Sequence, residues 1–321
     1  MMHEEANRSR LRAWLQLFRA PNLFTVPGDP LAGYFLAAHS TVLVGSSLGL
    51  VLAASLSFYA AGLAWNDYFD FKEDRRARAN RPLPSGDIRP RTALWAGCAL
   101  AGMGLLLCAR VGGPTFWIGM VLAACAFTYN HCLKSVPGVG VFTMGACRAL
   151  SVLLGASAVP VRHPFSPPVW IAAIVVLLYV ASVSQLARRE TEPHHPGIEA
   201  WMPLLVLLLG AFFLVPTLAD GMPARVGFAT AYAAAMAVTL LFALRMRAYA
   251  STPNLPLDLA RKQAILTVLP VWIGRLIGVL LLLQVAFILS AGLGRPGALA
   301  AVVVLACGTA NRLLARTFYA S

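Results

Sequence analysis

Apolar runs and polar stretches alternate along this chain on a long period. No charged residue falls between Val44 and Leu63, and the run then ends in a dense polar stretch, "WNDYFDFKEDRRARANRPLPSG", at residues 65–86. Comparable apolar runs recur at 22–42, 46–66, 91–109, 115–133, 138–159, 168–187, 200–219, 224–245, 266–291 and 297–313. Most approach the ~20 mainly apolar residues that a helix needs to cross a bilayer. The pattern predicts an all-α, polytopic integral membrane bundle of about nine or ten transmembrane helices. The first twenty residues are polar and basic and lead into a full apolar run, so no cleavable signal peptide is expected.

Composition changes this picture little. Of 321 residues, 59% are hydrophobic and only 12% charged, with a mean hydropathy of +0.70, too few charges to clothe a soluble protein of this size. The net charge of +13 would suit nucleic acid, but its distribution argues against that partner. With the N-terminus in the cytoplasm, twenty of the Lys and Arg residues fall in inside segments. Outside segments hold only Arg110, Arg162, Arg225 and Arg295, a strong positive-inside bias. The basic surplus therefore sets topology, with both termini cytoplasmic in a bacterial-type inner membrane, and faces anionic lipid or an anionic substrate. The six cysteines form no C-x-x-C pair and read as small apolar fillers. No linker divides the chain, so one domain over 1–321 is expected. Its longest polar stretches, 67–91, 188–199 and 246–262, all lie on the cytoplasmic side, where the chemistry is expected.

On a helix, Asp67, Asp70 and Asp74 stand at i, i+3 and i+7, within roughly 60° of one another, with Asn66 at the edge of that arc. Carboxylates so placed repel unless something neutralises them. A hard divalent cation would do so: Mg²⁺ takes oxygen ligands and is typically held by one or two carboxylates plus substrate phosphates. The alternative is a solvated helix end neutralised by Lys72, Arg75 and Arg78. The cluster abuts an apolar span, where ionisable residues mark function, and that favours the metal. Pro82 and Pro84 end any helix and leave Arg81 at a corner near the acids. Mg²⁺ and arginine together suit a diphosphate carried on a lipid-soluble group. Arg148 lies several residues into a span, a costly place unless it is paired or faces a cavity. Asp29, in "PGDP", either caps a broken helix or faces the same cavity. His194 and His195 read as solvated loop residues.

"NDYFDFKED" followed by "NRPLPSG" resembles the first signature of the UbiA superfamily of membrane prenyltransferases, N-D-x-x-D-x-x-x-D and then R-P. "FRAPNLFTVPGDPLAGYFLA" is similar to the family's first helix, with Arg19, Pro21, Asn22, Thr25 and Gly33 in familiar places. "FTYNHCLKSVPGVG" resembles its Tyr…Lys element and "MGACRALSVLLGA" its Arg-bearing helix. With "YVASVSQLARRETE", these details look most like the UbiA-like branch associated with Ebo gene clusters. The likeness is good over residues 17 to about 200, and beyond that extends only to apolar helices.

The resemblance implies a helical bundle around a central cavity open to lipid, with an isoprenoid diphosphate held at Mg²⁺ on the cytoplasmic side. The implied activity is Mg²⁺-dependent transfer of the prenyl group to a small acceptor. Carried over by position, Asn66, Asp67, Asp70 and Asp74 form the metal set. Arg81, Tyr129 and Lys134 contact the diphosphate, with Asn22 nearby and Arg148 facing substrate. Two departures stand out. The family spacing is Tyr-x-x-x-Lys, whereas Tyr129 and Lys134 are five apart, which on a regular helix rotates the lysine by about 100°. The family's second aspartate motif is replaced by "SQLARRETEPHHPG". Arg188 or Arg189 is expected to stand in as a fixed positive charge, with Glu190 as a weaker competing ligand and Glu192 placed to pair with Arg188. The other class of function open to this pattern is a transporter or carrier that binds a phosphorylated cargo without cutting it.

Overall fold

A computed structural model describes residues 2–38, 45–188, 197–218, 221–251 and 259–318. Its helices are α1 (Met2–Leu17), α2 (Ala20–Leu23), α3 (Gly28–Ala38), α4 (Ser46–Phe69), α5 (Phe71–Ala77), α6 (Pro90–Val111), α7 (Gly113–Thr128) and α8 (Val139–Ser157). There follow α9 (Pro167–Arg188), α10 (Met202–Leu214), α11 (Met222–Ser251), α12 (Leu259–Ser290) and α13 (Gly294–Phe318). No strand occurs among the described residues.

Proline and glycine set the boundaries. Pro90 opens α6 after Arg89 in an extended conformation, where the missing N–H costs nothing. Gly112, at φ 153°, turns α6 directly into α7. Among the described residues, eight segments are long and apolar enough to cross a membrane: Ser46–Phe69, Pro90–Val111, Gly113–Leu133, Val139–Ser157, Pro167–Arg188, Ile198–Thr217, Met222–Ala248 and Val268–Ser290. Large apolar side chains such as Trp95, Leu106, Trp117, Phe212 and Phe213 point away from the bundle, as expected where the surroundings are lipid.

Two expected spans differ from this set. The first is broken into α2 and α3, because Pro27 cannot continue α2 and Pro30 suits only the first turn of α3. All eleven positions of α3 are buried, against α8 and α12. The last, 297–313, is helical within α13 but is not one of the eight apolar segments; Arg295 stands near its start.

Close helix approach rests on glycine. A Cβ on Gly33 would strike the Val152 carbonyl, and one on Gly155 the Pro30 carbonyl, so α3 and α8 touch backbone to backbone through this reciprocal pair. A smaller core sits at the polar end. Ala13 and Leu17 of α1 pack on Ala64, Leu83, Ile88 and Ala93, fixing α1 and the loop after α5 against α4 and α6.

Candidate active site

The end of α4, the turn after α7, the start of α8 and the end of α9 meet at the same end of the bundle as α1. They enclose a cavity of about 920 Å³. Asn66, Asp67, Asp70, Arg81, Tyr129, Lys134 and Arg188 all line it, so most of the expected site residues converge. Toward the bundle interior it adjoins a smaller chamber of about 180 Å³, and Arg19, Asn66, Tyr129 and Met144 line both.

The carboxylates follow from a near-continuous helix with one irregular residue. Asp70 joins α4 to α5, its amide bonded to the Asn66 carbonyl at 2.9 Å and its carbonyl to the Asp74 amide at 2.8 Å. Arg81 reaches back from a compact loop pinned by buried Leu83 and Ile88, whose amide bonds the Pro82 carbonyl at 3.0 Å. Arg81 Nη1 donates to Asp74 Oδ2 at 2.6 Å and lies 4.0 Å from Asp67 Oδ1. Arg78 Nη1 stands 3.9 Å from the other oxygen of Asp74. Asp67 and Asp74 are 6% and 4% exposed, so these cations hold two buried charges. Asp70 faces elsewhere: Lys134 Nζ donates to Asp70 Oδ2 and, at 3.1 Å, to Asn66 Oδ1.

The awkward Tyr…Lys spacing is resolved locally. Residues Tyr129–Leu133 form a single π-helical turn, closed by the Lys134 amide on the Tyr129 carbonyl at 2.9 Å. The wider turn absorbs the extra residue, so Tyr129 and Lys134 line one cavity despite being five apart. Such bulges are frequent at functional sites.

Other expected residues land differently. Asn22 lines neither cavity; its carbonyl accepts from the Thr25 amide at 3.0 Å and the Thr25 hydroxyl at 2.8 Å, organising the break between α2 and α3. Arg148 lines the inner chamber, its Nε 2.7 Å from Asp29 Oδ2. Arg188 lines the larger cavity and donates to the Val136 carbonyl at 3.4 Å. Arg189, Glu190 and Glu192 lie outside the described residues.

Arg19 went unassigned in the site expected from sequence. Its Nη2 stands 3.7 Å from Asp67 Oδ1, it lines both cavities, and at φ 43° it is the one described non-glycine residue in the left-handed region. Strain of this kind collects at functional sites. The available signal was its position just before "APN", where the helix breaks. Arg78, expected only as a neutraliser of the acids, also lines the cavity, as do Asn80, Gln16 and Ser184, which carried no signal.

Five cations (Arg19, Arg78, Arg81, Lys134 and Arg188) face two carboxylates, Asp67 and Asp70, across the larger cavity, a lining that attracts anions. Among the described residues no three Asp, Glu, His or Cys side chains converge as metal ligands, because Arg81 and Lys134 stand between the acids. The donors themselves are hard oxygens, from Asn66, Asp67 and Asp70 on one wall. That is the type Mg²⁺ takes when phosphate completes its shell, so donor chemistry fits the ion.

Comparison with known proteins bears on this geometry. The profile of the UbiA prenyltransferase family matches residues 30–256. Digeranylgeranylglyceryl phosphate synthase of Thermococcus gammatolerans is 29% identical over 241 residues, covering 72% of this chain and 84% of the relative. The synthase of the same name from Methanopyrus kandleri is 28% identical over 239 residues, covering 71% and 77%. Among solved structures, one of a digeranylgeranylglyceryl phosphate synthase superposes with a TM-score of 0.60 at 20% identity, covering 87% of this chain and 98% of that one. A UbiA homologue from Archaeoglobus fulgidus bound to DMAPP and Mg²⁺ gives 0.58 at 14% identity, covering 84% and 98%, a likeness of fold. With the aspartate signature, the basic cavity and the fold in agreement, the chain belongs to the UbiA prenyltransferase family.

Proposed function

We propose that this protein transfers a prenyl group from an isoprenoid diphosphate to a small acceptor, with Mg²⁺, at the cytoplasmic face of the membrane. One observation carries the reading: the larger cavity combines cations and oxygen donors with an apolar wall of Leu15, Val141, Met144 and Ala187. An amphiphile with an anionic head matches that mixed lining. The relatives are named as synthases of digeranylgeranylglyceryl phosphate, and a structural neighbour binds DMAPP with Mg²⁺, which supports the donor class. The cytoplasmic assignment rests on the distribution of Lys and Arg.

In this reading Arg81, Lys134 and Arg188 hold the diphosphate oxygens by charge-assisted hydrogen bonds. Arg81 and Lys134 now rest on Asp74, Asp70 and Asn66, so binding of the head exchanges one set of partners for another. Asn66, Asp67 and Asp70 would hold the metal, with Asp74 steadying Arg81 behind them. An ion held by these residues would supply Lewis-acid withdrawal of charge from the leaving diphosphate. The arginines and Lys134 stabilise the same departing charge from fixed positions, which lowers the barrier only because they are in place beforehand. Tyr129, at the rim shared by both cavities, screens the reacting end from the aqueous side. Val141, Met144, Ala187 and Leu15 give the larger cavity an apolar wall along which the prenyl chain leaves toward lipid.

Purified protein incubated with labelled dimethylallyl, geranyl and geranylgeranyl diphosphates and Mg²⁺ should release diphosphate when a membrane lipid extract supplies the acceptor. Asp70→Ala should abolish that release while the protein stays folded in detergent. Tight binding of every donor with no release under any condition would sink the transferase reading and favour a carrier.

A further inference from the structure

The inner chamber holds polar groups that binding a diphosphate head in the larger cavity does not use. Arg148 projects into it from the middle of α8, about 6 Å deeper than Met144 at the shared rim, counting four residues of helical rise. Behind Arg148, Asp29 is 0% exposed and Gln284 1%. The guanidinium Nε pairs with Asp29 Oδ2 at 2.7 Å and Nη2 donates to the Thr25 carbonyl at 3.0 Å. Gln284 Nε2 donates to the other Asp29 oxygen at 2.7 Å and to the Thr25 carbonyl at 3.1 Å. Nη1 of Arg148 has no partner among the described residues, and the 12% of the side chain left exposed opens on the chamber. Asn130, also in the wall, spends both amide hydrogens on the carbonyls of Gly62 and Ala126, leaving its buried Oδ1 without a donor.

We infer that this chamber is a binding site for a compact, neutral, hydroxyl-bearing group. Three ligand classes can be weighed. A hydrocarbon would leave Nη1 buried and unsatisfied, at a cost. An anion would meet an arginine whose charge Asp29 already cancels, and would gain little for losing its water. A hydroxyl accepts from Nη1 and carries a hydrogen for an acceptor in the same wall, such as the hydroxyl oxygen of Ser55 or Ser151. Size sets the rest: an apolar cavity of about 150 Å³ takes a benzene-sized molecule, so 180 Å³ suits one six-membered ring or its equivalent and excludes a long prenyl tail. On the prenyl-transfer reading above, the group belongs to the acceptor.

Cys147 lines the chamber and reports its occupancy directly. In protein with the other five cysteines changed to alanine, methyl methanethiosulfonate should modify Cys147, and mass spectrometry follows the rate. Cyclohexanol should slow this reaction at a concentration about tenfold below that needed with methylcyclohexane or cyclohexanecarboxylate, the margin one hydrogen bond to a charged group provides. Arg148→Met should equalise cyclohexanol and methylcyclohexane. Asp29→Asn, by leaving the guanidinium charge uncancelled, should bring cyclohexanecarboxylate into the protective range. If Asp29→Asn does not fold, Asp29→Leu with Arg148→Met removes both buried charges and should abolish the preference for cyclohexanol. Equal protection by alcohol and hydrocarbon in protein that keeps Asp29 and Arg148 overturns the inference, as does strongest protection by the carboxylate. The labelling reads the chamber and not diphosphate release, so this inference and the transferase reading fail separately.

Discussion

Arg81→Ala removes the guanidinium that joins two buried carboxylates, and its consequences separate structure from binding. At the observed 2.6 Å to Asp74 and an effective dielectric of about 20, the Coulomb attraction is about 6 kcal/mol before desolvation. The net worth of a hydrogen bond between charged groups is nearer ~1.5–3 kcal/mol. Without Arg81, Asp74 keeps Arg78 at 3.9 Å, whose side chain is 56% exposed, and Asp67 keeps Arg19 at 3.7 Å. A loss of about 2 kcal/mol should lower the melting temperature by roughly 3 °C for a chain of 321 residues. Diphosphate affinity should fall about ten- to hundredfold, because the ligand forgoes a charge-assisted hydrogen bond of the same strength. The double variant Arg81→Ala with Asp74→Asn removes the stranded charge, so the melting temperature should recover while affinity does not. Calorimetric titration of inorganic diphosphate with Mg²⁺, beside thermal melts in the same detergent, reads both quantities. If Asp74→Asn restores affinity along with stability, Arg81 only neutralises Asp74 and the reasoning fails.

Lys134 covers Asn66 and Asp70, so Mg²⁺ alone should bind weakly and inorganic diphosphate should strengthen it; Lys134→Met should tighten binding of Mg²⁺ alone by about tenfold, and equal affinities by calorimetry would refute the exchange. Gly155→Leu should cost upwards of about 3 kcal/mol, because the added side chain meets the Pro30 backbone, which cannot step aside; a monodisperse variant with an unchanged melt would contradict that packing. Ser85→Cys, in protein without the native cysteines, should react with an impermeant thiol reagent in inside-out vesicles and not in intact cells; labelling of intact cells would reverse the proposed orientation.

The helical fold and the position of the cavity were legible because a bilayer imposes a coarse rule. Each span must satisfy its own backbone, so apolar runs of bilayer length announce themselves. The runs from Ser46 to Phe69 and from Pro167 to Arg188 were placed to within a few residues. The cluster of Asp67, Asp70 and Arg81 was legible for the complementary reason: charge beside an apolar run must be put to use. Pairings between distant segments were not legible. Asp29, Arg148 and Gln284 are 255 residues apart at their extremes, and no local pattern says which buried charge meets which amide. The way the acids divide their partners was hidden as well. Spacing alone puts Asp67, Asp70 and Asp74 on one arc, but the irregular residue at Asp70 and the reach of Lys134 send Asp70 to a different cation from its neighbours.

The remaining surprises share one physical cause. A regular helix buried among helices offers a cavity only side chains, since its backbone groups are all spent internally. Here the chain is interrupted at Arg19, just ahead of the first apolar segment, and again within that segment before Gly28, and the fourth apolar segment widens into a π turn at Tyr129. Each interruption lies where the chain borders a cavity, and side chains repair two of them. Arg148 and Gln284 both donate to the freed Thr25 carbonyl, and Asn130 donates to the Gly62 and Ala126 carbonyls. The repairs explain why polar side chains stand so deep in an apolar bundle. The first segment, counted as one span from its uncharged length, is broken where "PGDP" offered a helix break as one of two readings of Asp29: Pro27 and Pro30 add no charge to the run, while their effect on the backbone ends one helix and starts another. An irregular turn that needs a charged partner to hold it is retained where it lets that partner reach a ligand. Arg148 meets that condition, its Nη2 committed to the repair, its Nε set against Asp29 and its Nη1 left facing the chamber.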